Sequence, residues 1–182
     1  MKIHKDVEKI LITRQAIQKA AKTIANDINK KYQNKRPIVL GILKGCIPFF
    51  NEIFLNLTCD PTMDFMIVSS YTGTRSSNIK IVADLRQNIE GRHIIIIEDI
   101  IDTGRTLSKL LSILNTRKPA SIKIACMIDK PSARIKSVKV DYSGFKIPND
   151  FVIGFGLDYN ERYRGLPYVG VLKKSIYAKM DK

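Results

Sequence analysis

The stretch from residue 93 to residue 114 restricts the possible folds of this chain more than any other. It opens with the isoleucine run of residues 94–97, and consecutive β-branched apolar residues are typical of a strand that is covered on both faces. Apolar residues then recur at helical spacing, at Leu107, Leu110, Leu111 and Leu114. A short polar segment, residues 98–106, separates the two patterns. Strand, loop and amphipathic helix in this order predict an α/β fold with parallel strands.

The polar segment carries acids first and small hydroxyl residues second. Glu98, Asp99 and Asp102 precede the Thr-Gly-Arg-Thr loop of residues 103–106. Ligands of open α/β sheets bind at the carboxyl ends of the strands, and a helix start offers free N–H groups to a phosphate. The upstream carboxylates can accept hydrogen bonds from sugar hydroxyls or hold a hydrated Mg²⁺. Phosphate, sugar and metal together indicate a phosphorylated ribose.

An ordinary solvated loop is the alternative, because two acids after a strand and a Thr-Gly turn before a helix need no ligand. The strand-loop-helix context favours the functional interpretation. The nine residues EDIIDTGRT resemble the phosphoribosyl-diphosphate signature of type I phosphoribosyltransferases. The rest of the chain, roughly residues 38–172, resembles the hypoxanthine (guanine) branch of that family.

The resemblance implies the type I phosphoribosyltransferase fold: a central, mostly parallel sheet flanked by helices, a small hood and a mobile hairpin loop. It also implies purine salvage, in which phosphoribosyl diphosphate and hypoxanthine, or guanine, give a nucleotide with Mg²⁺ as cofactor. Asp102 is then expected to handle the proton at N7 of the purine. Glu98 and Asp99 are expected to orient the ribose hydroxyls and to face the metal. The 5-phosphate would be held by Thr103, Gly104, Arg105 and Thr106.

Two loops in the first half of the chain carry further expected site residues. Lys44 and Gly45 follow the predicted strand IVLGIL, where a cation and backbone N–H groups suit a diphosphate, although a plain loop lysine is equally compatible. The resemblance implies that residues 43–45 form the diphosphate loop, in which the peptide bond before the lysine can be cis. The predicted hairpin that follows could be an ordinary surface hairpin. By resemblance it is a lid in which Ser70 and Tyr71 close over the active site.

A lysine near the middle of the chain is the first expected base-binding residue. Lys130 lies in the run MIDKPSAR, directly after another predicted strand. An ammonium at this edge can donate to the 6-oxo group of a purine, which is the role that the resemblance implies. Arg134, in the same run, matches a family arginine near the diphosphate.

The segment FVIGFGLDYNERYRGLP carries the remaining expected site residues. Phe151 could be part of the core or a shelf on which a base stacks, and the resemblance favours stacking. The resemblance also implies main-chain contacts from Val152 to the base, a water on the metal facing Asp158, and contact between Arg164 and the diphosphate. The final residues, 173–182, are expected to form a frayed tail.

Composition limits the class of protein. With 182 residues, of which 45% are hydrophobic and 26% charged, the chain is expected to form a single domain, residues 1–182. No secretory pattern and no membrane-length apolar run occur, so we expect a cytoplasmic protein. Three cysteines without a CxxC pair argue against a disulfide framework or a zinc site. The net charge of +14 attracts polyanions, but scattered lysines without tryptophan favour a solvated surface over a nucleic-acid site.

Two other functions stay open at this point. A phosphoribosyltransferase for xanthine or a pyrimidine would share the sugar-phosphate residues, and only Lys130 and Phe151 favour a 6-oxopurine. A nucleic-acid-binding regulator on the same fold would explain the positive charge, but no added DNA-binding segment is visible and the acids are retained. Family members are commonly homodimers or homotetramers, and the apolar helix around Phe49 could serve a partner or the core.

Overall fold

The computed structural model describes residues 2–70 and 79–178 and has an α/β architecture. Its strands are β1 (Val7–Ile12), β2 (Ile38–Leu43), β3 (Thr62–Ser70), β4 (Ile79–Ala83), β5 (His93–Ile101), β6 (Ser121–Asp129), β7 (Tyr142–Lys146), β8 (Val152–Ile153) and β9 (Val169–Leu172). Its helices are α1 (Arg14–Tyr32), α2 (Ile47–Phe54), α3 (Arg105–Asn115) and α4 (Lys174–Tyr177), with a 3₁₀ turn at Pro131–Ala133. Among the described residues, no helix combines the length and apolarity that a membrane span requires.

Six strands form the central sheet in the order β4-β3-β2-β5-β6-β7. All neighbouring pairs are parallel except β3 and β4, which form an antiparallel hairpin. The strand order reverses between β2 and β5, because the chain moves from β2 to β3 on one side and continues from β5 to β6 on the other. In open α/β sheets such a switch point leaves a crevice at the carboxyl ends of the two strands. The predicted fold class is confirmed.

Helices cover both faces of the central sheet. On one face α1 and α2 pack against the strands, and Phe49 and Ile53 of α2 are fully buried. On the other face α3 buries three residues of its predicted stripe, Leu107, Leu110 and Leu114, and Leu111 is partly buried. The isoleucines of residues 94–97 alternate between the two faces and are all buried. The apolar face of α2 therefore belongs to the core.

The N-terminal strand joins the C-terminal strands in a second, smaller sheet with the order β1-β9-β8, and both pairs are antiparallel. A side chain also links the segments that lead into β1 and β9. The buried hydroxyl of Tyr168, just before β9, accepts a hydrogen bond from the N–H of His4, ahead of β1, at 2.9 Å. The strands of this sheet come from the N-terminal segment and the C-terminal strands, the parts of the chain from which the hood was expected. The sheet includes Val152, which also lines a cavity of about 490 Å³.

Two expectations about flexible segments have different outcomes. The hairpin of β3 and β4 is present, but Tyr71 and the side chain of Ser70 lie outside what the structure describes, so their role as a lid stays a prediction. The frayed tail is wrong for residues 174–177, which form α4. The Tyr177 ring stacks on Phe151 with the ring centroids 5.0 Å apart. A lone aromatic residue in a polar segment has no periodic pattern, so the sequence did not indicate this contact.

Candidate active site

At the switch point, three segments of the chain approach so closely that two positions, Gly45 and Gly156, have no room for a side chain. The peptide bond between Leu43 and Lys44 is cis, and Gly45 follows it. A Cβ at Gly45 would lie 1.7 Å from Oδ2 of Asp99. The Gly45 carbonyl oxygen would in turn lie 1.9 Å from a Cβ at Gly156, where φ is +100°. The loop after β2, the end of β5 and the C-terminal segment therefore meet at one place.

The acids at the end of β5 lie in surroundings that disfavour their charge. Burial, and then the neighbouring Asp99, raise the pKa of the Glu98 carboxyl well above its usual range. Burial raises the pKa of Asp99 to about 6, although the Ile100 N–H donates to Asp99 Oδ1 at 2.8 Å and favours the ionised form. Carboxyl groups in this state suit a cation or sugar hydroxyls, because either partner would compensate for the lost water.

Asp99→Asn is expected to stabilise the folded protein near pH 7.5 by roughly 1–3 kcal/mol. The pKa of Asp99, about 6 in the folded chain, lies above that of a free carboxyl, so the folded state binds this proton more tightly than the unfolded state. Stability is therefore lost as the pH rises through the window from about 4 to about 6. Urea unfolding at about pH 4.5 and about pH 7.5 tests this. A stabilisation of equal size at both values would contradict the electrostatic origin.

The predicted phosphate loop leads into the first turn of α3. Gly104 precedes the helix at φ +73°, and no side chain caps the helix at that position. A Cβ at Gly104 would lie 2.6 Å from the Lys136 carbonyl oxygen, and the N–H groups of Ile135 and Lys136 both donate to the Thr103 carbonyl oxygen. Residues 102–107 border a cavity of about 150 Å³. The Thr103 hydroxyl makes only a long contact with the Arg105 N–H, at 3.4 Å, so the N–H groups of the first turn can bind a phosphate.

A second, larger cavity of about 490 Å³ adjoins the first, and Ile100 and Asp102 line both. Asp102 is exposed. A cavity of this volume is in the range of small-molecule sites. The structure thus places Asp102 between a phosphate-sized cavity and a cavity that can hold an aromatic base.

The predicted base-binding residues lie together in the wall of the larger cavity. Lys130 is 6% exposed, and its Nζ donates to the Asp150 carbonyl oxygen at 2.7 Å. Burial lowers the pKa of this lysine. The Phe151 residue is 39% exposed at the cavity, and Val152 follows it at the start of β8. A buried donor beside an exposed aromatic ring can bind a flat polar ligand.

The two predicted diphosphate cations are linked through one acid that the sequence patterns did not single out. Lys44 Nζ donates to Glu161 Oε2 at 3.0 Å, and Arg164 Nη2 donates to Glu161 Oε1 at 3.2 Å. Arg164 Nη2 also lies 2.9 Å from Asp158 Oδ1. The structure therefore brings Lys44, Arg164 and Asp158 together although Lys44 is remote from the others in sequence. Glu161 was missed because an exposed acid in a turn carries no distinguishing pattern.

Arg134 lies apart from these cations. It forms an ion pair with Asp129 and donates to the Ile101 carbonyl oxygen. Its side chain also packs behind the phosphate loop, with Cδ 3.0 Å from a Cβ placed at Gly104. The structure therefore gives Arg134 a supporting position at the end of β6 and does not bring it to Lys44 and Arg164.

Comparison with known proteins identifies the family. The phosphoribosyl transferase domain model matches residues 6–160. A hypoxanthine-guanine phosphoribosyltransferase of Streptococcus pneumoniae strain ATCC BAA-255 / R6 is 47% identical over 178 residues, which cover 97% of this chain and 99% of the relative. The chain belongs to the hypoxanthine-guanine phosphoribosyltransferase family. A family member from Lactococcus lactis subsp. lactis strain IL1403 is 49% identical over 179 residues, 97% of each chain.

Solved structures agree with this membership. The crystal structure of a hypoxanthine phosphoribosyltransferase from Staphylococcus aureus has a TM-score of 0.92 to this chain at 40% identity, over 96% of each chain. The predicted resemblance to the hypoxanthine (guanine) phosphoribosyltransferases is therefore confirmed, and the chain is an enzyme of the pentosyl-transferring class. The roles of its individual site residues stay predictions.

A magnesium site is compatible with the carboxylates of this family member. Within residues 2–70 and 79–178, no group of three or more His, Cys, Asp or Glu side chains is arranged to hold a metal by itself. Mg²⁺, however, is commonly bound through one or two carboxylates, waters and substrate phosphates. Asp99 and Asp158 both line the larger cavity, and the raised pKa of Asp99 shows a carboxylate whose charge a cation would stabilise. These residues fit a Mg²⁺ that binds together with the substrate.

Proposed function

We propose that this enzyme transfers the 5-phosphoribosyl group from phosphoribosyl diphosphate to hypoxanthine and guanine and releases diphosphate, a reaction of purine salvage. The observation that carries this proposal is the position of Asp102 between the two cavities. A base in the larger cavity and a 5-phosphate in the smaller one would leave the ribose between them, next to Glu98 and Asp99. The relatives named for hypoxanthine and guanine support the choice of base.

The sugar phosphate would bind first to the end of β5 and the start of α3. Residues 103–106 would hold the 5-phosphate through N–H groups and hydroxyls, because the N-cap residue Gly104 has no side chain that could occupy the N–H groups of the first turn. Glu98 and Asp99 would accept hydrogen bonds from the ribose hydroxyls. These contacts would fix the anomeric carbon relative to the base and so lower the entropic barrier to reaction.

The reaction breaks the bond from the anomeric carbon to the diphosphate oxygen and forms a bond from that carbon to the purine. Positive charge develops on the ribose in the oxocarbenium-like transition state, and negative charge develops on the diphosphate. Lys44 and Arg164 would stabilise the leaving diphosphate. Mg²⁺, held by Asp158 and by Glu98 or Asp99, would neutralise diphosphate charge when bound. Asp102 would accept the proton from N7 of the purine.

Selection of a 6-oxopurine would depend on the wall of the larger cavity. Phe151 would stack on the base, and the main chain at Val152 would contact its edge. Lys130 would donate to the 6-oxo group from a position where its ammonium is buried. A hydrogen bond from a buried charged donor discriminates strongly, because a base without the acceptor would leave that donor unsatisfied.

The proposed function is tested by offering hypoxanthine, guanine, xanthine and uracil separately to the purified enzyme with phosphoribosyl diphosphate and Mg²⁺. Nucleotide formation with hypoxanthine and guanine, and none with uracil, is expected. Turnover of uracil or xanthine alone would favour a phosphoribosyltransferase for another base. Binding of phosphoribosyl diphosphate without turnover of any base would favour a regulatory protein.

Lys130→Met is expected to raise the KM for hypoxanthine roughly 10- to 100-fold, because a charged hydrogen bond to the 6-oxo group contributes about 1.5–3 kcal/mol. Methionine keeps the buried apolar stem while removing the ammonium. The KM for phosphoribosyl diphosphate should change by less than about 3-fold. The control is Lys22→Ala, which removes one lysine from an exposed position of α1 and should leave both KM values unchanged. Equal losses for base and phosphoribosyl diphosphate in the Lys130 variant would indicate a structural lysine instead.

Three broader expectations remain predictions for this enzyme. They are a cytoplasmic location, a single domain over residues 1–182, and assembly as a homodimer or homotetramer. Sedimentation of the purified protein would determine the oligomeric state.

A further inference from the structure

One carboxylate bridges the two cations that face the proposed leaving group. Each oxygen of Glu161 contacts a different cation, Oε2 with Lys44 at 3.0 Å and Oε1 with Arg164 at 3.2 Å. Lys44 comes from the loop after β2, whereas Glu161 and Arg164 come from the segment between β8 and β9. The bridge therefore joins the two chain segments that border the proposed diphosphate position.

Stability does not account for this arrangement. The side chains of Lys44 and Glu161 are 62% and 65% exposed, and ion pairs this exposed contribute little to folding because water screens them. The hydrogen bonds from Lys44 and then from Arg164 lower the pKa of Glu161. The Glu161 carboxylate is therefore ionised near neutral pH and contacts both cations with its two oxygens.

The backbone around Glu161 is held in a conformation that non-glycine residues rarely adopt. Asn160 and Glu161 have φ values of +52° and +60°, and Tyr163 has +75°. Such positions are sterically unfavourable and persist where surrounding contacts determine them. Here the Glu161 N–H donates to Asp158 Oδ2 at 2.9 Å. The turn thus directs the Glu161 carboxylate toward Lys44 and Arg164 at the expense of local strain.

We propose that Glu161 occupies the diphosphate subsite when that subsite is empty and is displaced by the diphosphate of the substrate. This rests on the proposed function, because it takes Lys44 and Arg164 as diphosphate ligands. A carboxylate carries less charge and fewer acceptor oxygens than a diphosphate, so the substrate can displace it. The same carboxylate competes with the product for both cations. Glu161 therefore weakens retention of the product diphosphate and speeds its release.

Titration of the full-length protein with diphosphate in the presence of Mg²⁺ tests this competition. Glu161→Gln keeps the shape of the side chain but removes its charge, and it should bind diphosphate roughly 2- to 10-fold more tightly than the unsubstituted protein. Product inhibition by diphosphate should strengthen by the same factor. The KM for phosphoribosyl diphosphate should fall, while the KM for hypoxanthine stays unchanged.

Two matched variants separate direct competition from a general charge effect. Glu161→Asp keeps the charge but is one methylene shorter and cannot reach both cations, so under direct competition it should also tighten diphosphate binding. Wild-type affinity in Glu161→Asp would show that only the charge of the region matters and would overturn the proposal. Asp60→Asn removes a negative charge at a position just before β3 and breaks the exposed ion pair of Asp60 with Arg36. This second variant should leave diphosphate binding unchanged.

The direction of the Glu161→Gln effect decides whether Glu161 competes with diphosphate for Lys44 and Arg164. Unchanged or weaker diphosphate binding would overturn the proposal, and weaker binding would make Glu161 a residue that positions the two cations. The proposed function fails separately, if the unsubstituted protein forms no nucleotide with any base. The diphosphate titration can be read even then, because it requires binding and no turnover.

Discussion

Asp102→Asn is expected to lower the kcat of nucleotide formation roughly 10²- to 10⁴-fold, the range that a general acid-base group contributes. Asn keeps the size and one acceptor of the side chain but cannot take the purine proton. Since Asp102 lines both cavities without belonging to the core, the fold should be unaffected. Steady-state kinetics with hypoxanthine and phosphoribosyl diphosphate measures the effect, and both KM values should change by less than about 3-fold.

The control for this variant is Asp60→Asn, which makes the same chemical change in an exposed ion pair outside the site. It should retain full turnover. A kcat of the Asp102 variant within about 3-fold of the unsubstituted enzyme would remove Asp102 from the acid-base role. A rise in KM without a fall in kcat would instead assign Asp102 to substrate binding.

Gly45→Ala is expected to lower kcat/KM for phosphoribosyl diphosphate by about 10²-fold or more, because displacements near 1 Å at a reacting centre have effects of this size. The added Cβ would lie 1.7 Å from Oδ2 of Asp99, so either the loop after β2 or the Asp99 side chain must move. Both carry residues that we propose to contact the substrate. Kinetics with varied phosphoribosyl diphosphate measures the loss.

Gly165→Ala is the matched control, since a Cβ at Gly165 would meet no atom within 4 Å. It should keep activity within about 3-fold. Circular dichroism and thermal unfolding of the Gly45 variant should show a folded protein, so that the loss can be attributed to the site. Nearly full activity in folded Gly45→Ala would contradict the requirement for close contact between the two segments.

Local patterns account for the elements that were predicted correctly. The isoleucines of residues 94–97 and the leucine stripe of α3 are each encoded within a few consecutive residues, as alternation in a strand or spacing in a helix. The structure buries the four isoleucines and all of the leucines except Leu111, which is partly buried. The loop of residues 103–106 lies between them, so its place at the start of α3 followed from its neighbours. The same reasoning placed Lys130 directly after a strand.

Contacts between distant segments account for what was missed. Glu161 bridges Lys44 and Arg164, and Tyr177 stacks on Phe151, yet neither residue belongs to a periodic pattern. Their importance arises from where the second sheet lies relative to the central sheet. That relation depends on many long-range contacts that no short window of sequence contains.

By itself, the sequence determined the α/β class, the strand-loop-helix centre and its acids, because these follow from residue chemistry and short-range periodicity. Only the tertiary structure decided that β2 lies beside β5, and that Gly45 touches Asp99 across this switch point. It also decided which acid joins the two cations. The physical reason is that strand order and close backbone approach are set by the packing of the whole chain, where residues far apart in sequence become neighbours.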